Sequence, residues 1–240
     1  MEDIILINLV ITLIIAIPII RFVLRYNEYK NSNYYRTTQN SYWSVFGDNG
    51  KYGEYRLYQY LQPFESVDCK FLFNLYVPRD NVKTSEIDVI MFHPKGLFVI
   101  ESKNYSGWIF GNESNKQWTQ ILPVGHRRSH KEHFYNPIMQ NATHIRAIRK
   151  HINDTIPIYS VIAFSNNCTL KDVTVKSNVI VTYYSDLQRE IKFKLSKINN
   201  YIMPPELMNE TYNKLSQYAN VDDYTKFQHI YNSKHFRTLS

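Results

Sequence analysis

Three side chains stand out by type and spacing: Asp88, Glu101 and Lys103. They lie in two apolar runs, Glu86 to Phe92 and Leu97 to Lys103, joined by His93-Pro94-Lys95-Gly96. Read as a hairpin with that four-residue turn, the pattern puts Phe92 opposite Leu97. Counting back puts Asp88 opposite Glu101 and Glu86 opposite Lys103. Residues directly opposite in an antiparallel pair point to one face with Cβ atoms roughly 5 Å apart, and residues two apart on a strand share that face. Asp88, Glu101 and Lys103 are therefore expected to form one cluster. Ile87, Val89 and Met91 on one face, and Ile90, Phe92, Leu97 and Val99 on the other, are apolar. Strands apolar on both faces belong in the middle of a sheet covered on both sides. Two carboxylates facing each other there repel, which raises the pKa of one. A divalent cation removes the conflict, and Mg²⁺ takes one or two carboxylates together with waters and a substrate phosphate. The Lys103 ammonium would then orient or acidify a water, or stabilise charge developing on phosphorus. The plainer alternative for Glu-x-Lys is a cross-strand salt bridge at a strand end. An acid opposite the glutamate, inside an apolar hairpin, weighs against it.

The elements around the hairpin are legible as punctuation and periodicity. Residues Lys51 to Gln62 carry Glu54, Leu57, Tyr58 and Leu61 at helical spacing, and Pro63 ends the run. Phe71 to Val77 reads as a strand closed by Pro78-Arg79-Asp80-Asn81; Trp108 to Gly111 and Trp118 to Leu122 read as shorter strands. Asn136-Pro137 starts a helix with Asn as cap and Pro at the first position, and its apolar stripe is Ile138, Ala142, Ile145, Ile148 and Ile152. Ile158 to Phe164 and Val179 to Tyr183 read as strands, and residues 186 to about 235 as mostly helical. Helix, strands, helix and strand again predict a mixed α/β sandwich.

The N-terminal run Ile4 to Ile20 is apolar except for Asn8, Thr12 and Pro18, with Phe22, Val23 and Leu24 beyond Arg21. About 20 apolar residues span a bilayer core. Glu2 and Asp3 precede the run and no small-residue cleavage site follows it, which favours an uncleaved transmembrane helix over a secretory signal. Arg21, Arg25, Lys30 and Arg36 follow, so the positive-inside rule leaves the C-terminal body in the cytoplasm. The expected organisation is an anchor at 1–25, a linker rich in Asn, Ser, Tyr and Thr at 26–49, a catalytic-type domain at 50–185 and a mostly helical region at 186–240.

The ordered motifs resemble a known family. Gly53-Glu54, Ile87-Asp88, the run Gly96-Leu-Phe-Val-Ile-Glu-Ser-Lys-Asn-Tyr-Ser-Gly-Trp-Ile-Phe-Gly-Asn112, Trp118 and Asn136-Pro-Ile-Met-Gln-Asn-Ala-Thr-His144 look like the nuclease-related domain, NERD. That family is similar to the PD-(D/E)XK restriction-endonuclease-like superfamily. The resemblance covers roughly residues 50 to 165 and implies a restriction-endonuclease-like α/β/α core with a central mixed sheet. It implies Asp88 and Glu101 as metal ligands, Lys103 as the catalytic lysine, Glu54 as a helical acid assisting the metal, and Gln140 as a supporting glutamine. The implied cofactor is Mg²⁺ or Mn²⁺, the implied partner DNA or RNA and the implied reaction phosphodiester hydrolysis. Ile87 stands where the superfamily name has proline, and His144 stands where some relatives carry tyrosine. A nuclease fold reused as a non-catalytic binding or scaffolding module is the alternative.

Composition narrows the partners. The chain has 240 residues, 44% hydrophobic and 20% charged, enough for a real core. It has seven Gly and no GxGxxG or GxxxxGK run, and its two cysteines have no CxxC spacing, so phosphate-loop and disulfide-scaffold classes are excluded. The net charge is +7, and the first 50 residues are balanced. Much of the excess falls at 126–151, where Arg127, Arg128, Lys131, Arg146, Arg149 and Lys150 face only Glu132. Both a phosphate-binding surface and a solvated loop and helix face fit that pattern. His126, His130 and His133 lack an acidic or cysteine partner at an established zinc spacing. Trp108 and Trp118 are expected to pack against a sheet rather than stack on bases.

Overall fold

The computed structural model describes residues 2–79, 84–125, 128–199, 201–219, 221, 222, 224 and 231. Its centre is the expected hairpin. Strands β2 (Thr84–His93) and β3 (Gly96–Lys103) pair antiparallel with Phe92 opposite Leu97 and Val89 opposite Ile100. Strand β1 (Lys70–Pro78) joins the far side of β2 antiparallel. On the other side of β3 lie the parallel strands β7 (Ile158–Phe164) and β9 (Ile180–Tyr183), giving a mixed sheet in the order β1-β2-β3-β7-β9. Leu97 to Ile100 are fully buried, as a strand without a polar face must be in a doubly covered sheet.

Helices cover both faces. On one side α4 (Asn49–Leu61) and α6 (Leu187–Ser196) bury Leu57, Tyr58, Leu61, Leu187 and Ile191 against Phe73, Val89, Phe98 and Ile100. On the other, α5 (Pro137–Arg149) and α7 (Pro205–Ser216) bury Ile148, Met208 and Leu215 against Leu75, Ile90, Phe92 and Val99. The result is a mixed α/β core with helix layers on both sides, and residues 187–216 contribute to both layers.

In this sheet strict alternation fails at Asn74. Asn74 has a left-handed backbone (φ 53°), which asparagine tolerates better than most residues. Across it β1 changes faces: Phe71 and Phe73 belong to the α4 side, Leu75 and Val77 to the α5 side. The opposite strand follows. Val89 and Met91 lie on the α4 side, but Ile87 packs on the α5 side with Ile90 and Phe92. The expected grouping of Ile87 with Val89 and Met91 is thereby corrected, because the backbone turns over at the level of Asp88.

A second sheet runs in the order β6-β5-β4-β8: β4 (Gly107–Asn112), β5 (Gln117–Val124), β6 (Arg128–Tyr135) and β8 (Cys168–Thr174). Its inner face packs Ile109 and Trp118 on Ile138, Ile162 and Phe164. Gly111 permits this, because a Cβ there would sit 2.1 Å from the Trp118 ring. Strand β6 extends through a stretch expected as loop. It is an edge strand exposed on both faces, so it carries no alternating apolar pattern to betray it.

Helix α1 (Glu2–Asn31) is about 45 Å long at 1.5 Å per residue. Its span Asp3–Asn31 is long and apolar enough to cross a membrane, and none of its apolar window is buried. Residues 26–49, expected as a linker, hold α2 (Asn33–Thr38) and α3 (Tyr42–Phe46). Ser32 and Ser41 cap these helices, and Asp48 caps α4. Tyr29, Tyr34 and Val45 are fully buried in the α4-side core. Tyrosine supplies the apolar area there, so a segment polar by composition still packs.

Candidate active site

The site forms where the β2–β3 ladder ends. The last regular pair is Val89 with Ile100. One position further, Asp88 Oδ2 accepts the Ser102 backbone N–H at 2.7 Å. The carboxylate thus takes a donor that a ladder carbonyl would otherwise satisfy. Ser102 Oγ shares a hydrogen bond with the Tyr184 hydroxyl at 2.7 Å.

Helix α5 reaches this point because its start is tied down. Asn136 Oδ1 accepts the Ile138 N–H, and its amide donates to the carbonyls of Glu113 and Asn115, both at 2.8 Å. The buried Asn141 amide donates to Val99 O at 2.9 Å and to Ser160 Oγ at 2.8 Å, bolting α5 across β3 and β7. Gln140 and His144, four residues apart, share a helix face. Lys103 Nζ donates to Glu101 Oε1 at 2.6 Å and to Gln140 Oε1 at 3.1 Å. His144 Nε2 donates to Glu101 Oε2 at 3.1 Å. Glu101 is 2% exposed with both oxygens engaged.

Glu54 arrives from the opposite layer. Gly53 lets α4 approach the end of β3, since a Cβ there would stand 2.6 Å from Asn104 Cβ. The Tyr34 hydroxyl donates to Glu54 Oε2 at 3.2 Å, and the Asn74 side chain also hydrogen-bonds this carboxylate. The face change at Asn74 therefore lies beside Glu54.

Charge is unbalanced here. Burial, then the neighbouring Glu101 and Glu54 carboxylates, hold Asp88 well above the usual carboxylate range; Lys103 and the Ser102 N–H only partly oppose this. Burial lifts Glu54 to about 7, against the hydrogen bond from Asn74 and helped by Glu86. For Glu101, burial is outweighed by Lys103 and His144, which hold it below its ordinary value. For Lys103, burial is outweighed by Glu101, Tyr105 and Asp88, which raise it. Two carboxylates thus remain poorly compensated. Their hard oxygen donors and surplus negative charge fit a divalent cation. Among the described residues no three His, Cys, Asp or Glu side chains converge as a ready metal-binding group. A cation held by Asp88 and Glu54 would take its remaining ligands from water or phosphate.

Glu101, Lys103 and Gln140 are joined by direct hydrogen bonds, and Asp88, held on the intervening Ser102 N–H, and Glu54 act on the cluster electrostatically. Neither the Asp88–Glu101 nor the Glu86–Lys103 pairing forms, because the ladder stops at Val89 with Ile100 and Asp88 takes the Ser102 N–H instead. Glu86 pairs with Tyr76 on β1 and accepts its hydroxyl at 2.7 Å, while Lys103 lies opposite Phe164. The basic residues lie on two elements, β6 and the C-terminal half of α5 with the turn after it. Arg128 and Lys131 are exposed on β6, three apart and so on opposite faces. Arg146 donates to Thr143 Oγ1 at 2.7 Å, Arg149 to the carbonyls of Asn153 and Asp154, and Lys150 to the carbonyl of Arg79. Arg127 and His126 lie outside the described residues. His130 pairs with Glu132 and His133 with Thr119. Trp118 packs as expected, but Trp108 is 45% exposed.

Sequence reasoning missed Tyr34, Asn74 and Asn141 as parts of the site, and left the place of His144 open. Asn74 carried a signal, an asparagine in the middle of an apolar strand. Asn141 carried one too, a polar residue on the sheet-facing side of α5. Tyr34 carried none, since its partner lies 20 residues away.

A family model described as the nuclease-related domain matches residues 49–165, from the first residue of α4 to just past β7. An uncharacterised protein of Bacillus anthracis is 40% identical over 144 residues, which cover 60% of this chain and 66% of that protein. No solved structure matches the chain. Such a domain points to nucleic acid as substrate or partner and to divalent-metal chemistry in general. Residues 49–165 are thus a nuclease-related domain of the NERD family.

Proposed function

We propose that this protein is a membrane-anchored, cytoplasm-facing nuclease that hydrolyses phosphodiester bonds in DNA or RNA with Mg²⁺ or Mn²⁺. The observation that carries the reading is three carboxylates at the end of the hairpin beside one lysine: buried Glu101 engages Lys103 and His144, and part-buried Asp88 and Glu54 are both lifted above their ordinary values. Asp88 and Glu54 would hold the cation, with Glu101 beside them kept in place by Lys103 and His144, and the cation would supply Lewis-acid stabilisation of the phosphate oxygens. Lys103 is held in its charged form. In that form it works as a donor, orienting the attacking water or stabilising charge developing on phosphorus. Gln140 fixes the ammonium from one side, and His144 fixes Glu101 from the other. Helix α1 supports the anchor, and Arg21, Arg25, Lys30 and Arg36 support a cytoplasmic body.

The full chain in detergent micelles is expected to degrade DNA or RNA only with Mg²⁺ or Mn²⁺. Lys103→Ala and Asp88→Asn are each expected to lower the rate at least 100-fold, the scale of losing one electrostatic stabiliser. Unchanged activity in both variants would refute the mechanism. A second reading, a non-catalytic nucleic-acid-binding module on the same fold, is favoured by the absence of a converged three-ligand cluster among the described residues. It predicts salt-dependent binding without cleavage under any divalent ion.

A further inference from the structure

The outer face of the second sheet is not used by the site. Residues directly opposite in paired strands share a face. Lys131 on β6 lies opposite Ile121 on β5, Ile121 opposite Trp108 on β4, and Trp108 opposite Thr169 on β8. The next row holds His133, Thr119, Phe110 and Asp172. The inner face takes Ile109 and Trp118 into the core, so this row pattern turns Trp108 and Phe110 outward. Trp108 is 45% exposed, Phe110 is half-buried, and Lys131 and Lys171 are exposed. The Lys171 ammonium stands over the Trp108 ring, 5.5 Å from its centroid.

We propose that this face is a binding platform for single-stranded nucleic acid. Trp108 and Phe110 offer rings two residues apart on one strand, on which successive bases stack. Lys131 on one flank and Lys171 on the other meet the phosphates. An exposed aromatic on a flat sheet between cations suits unpaired bases, whose π-faces are open, rather than a duplex, whose bases are stacked on each other. The platform is joined to the site by a short path. Trp108 is the fifth residue after Lys103, so their Cα atoms lie at most about 18 Å apart. That distance is covered by about five nucleotides at 3.4 Å each. The inference rests on the nucleic-acid reading above and narrows its substrate to single-stranded or locally unpaired strands.

The test is binding without chemistry. The full chain in detergent micelles, in EDTA, is titrated against fluorescein-labelled oligo(dT) and a blunt duplex of equal length, with anisotropy as readout. Trp108→Ala is expected to weaken oligo(dT) binding about tenfold, Trp108→Phe to restore most of it, and duplex binding to change little. Lys131→Ala is expected to reduce the slope of log affinity against log salt by roughly 0.7. Unchanged oligo(dT) affinity in Trp108→Ala, or an equal loss for duplex, would overturn the platform. Platform-dependent binding with no cleavage under Mg²⁺ or Mn²⁺ would leave the platform standing and remove the nuclease reading. Cleavage with no effect of Trp108→Ala on binding would do the reverse.

Discussion

Tyr34→Phe isolates one hydroxyl in a fully buried tyrosine. The ring keeps its contacts with Tyr55, Tyr58 and Phe73, at centroid distances of 5.5, 6.1 and 5.0 Å. What goes is the donor to Glu54 Oε2 at 3.2 Å. A hydrogen bond to a charged group contributes about 1.5–3 kcal/mol. This one is longer than the 2.5–2.7 Å of strong O–H···O⁻ pairs, so the lower figure applies. At 1.36 kcal/mol per pKa unit, losing it raises Glu54 by about one unit. From a starting value of about 7, the ionised fraction at pH 7 falls from about one half to about one tenth. A cation that needs the carboxylate ionised then binds about fivefold more weakly at pH 7, and equally well near pH 9, where both proteins are ionised. Mn²⁺ titrations of the full chain by calorimetry, run from pH 6 to 9, measure this directly. Equal affinity at every pH, or a deficit that persists at pH 9, would refute the reasoning.

The same carboxylate sets the sign of stability against pH. Its folded value lies above the ordinary 4.5, so the fold favours the protonated form. That contribution is fully present below about pH 4.5 and is lost as pH rises through about 7, a loss of about 3 kcal/mol. In EDTA, Tm is expected to fall from pH 5 to 8, and Glu54→Gln to flatten the fall; a wild-type slope retained in Glu54→Gln would contradict it. Asn141→Ala removes the amide's bonds to Val99 O and Ser160 Oγ and unbolts α5 from the sheet, so a loss of about 1–3 kcal/mol is expected in chemical denaturation. Gly111→Ala forces a methyl into the Trp118 ring and is expected to cost about 1–3 kcal/mol; a neutral result would mean the second sheet yields.

The hairpin was legible because its register follows from a four-residue turn and two uninterrupted apolar runs. Phe92 does face Leu97, and the acid, acid and lysine do meet at its end. What escaped were features without a period. Strand β6 sits at an edge and buries almost nothing, so no hydrophobic alternation marks it. The face change at Asn74 depends on a positive φ, which an asparagine permits but does not announce. It moved Ile87 to the other core while leaving the pairing with Leu75 intact.

The site was half legible for a related reason. Asp88, Glu101 and Lys103 come from one hairpin, so spacing along the chain places them. Gln140 and Glu54 needed the family resemblance, because they arrive from helices on opposite layers. Tyr34 needed the fold itself. Its polar neighbours made residues 26–49 read as a linker, although its own buried ring packs among aromatics and its hydroxyl reaches Glu54. Through α2 the apolar helix α1 is continuous with a group that tunes the candidate metal site. A chain cut before α4 would lack that hydroxyl, and with it part of what keeps Glu54 within reach of ionisation at neutral pH. The segment between α1 and α4 therefore does chemical as well as connecting work.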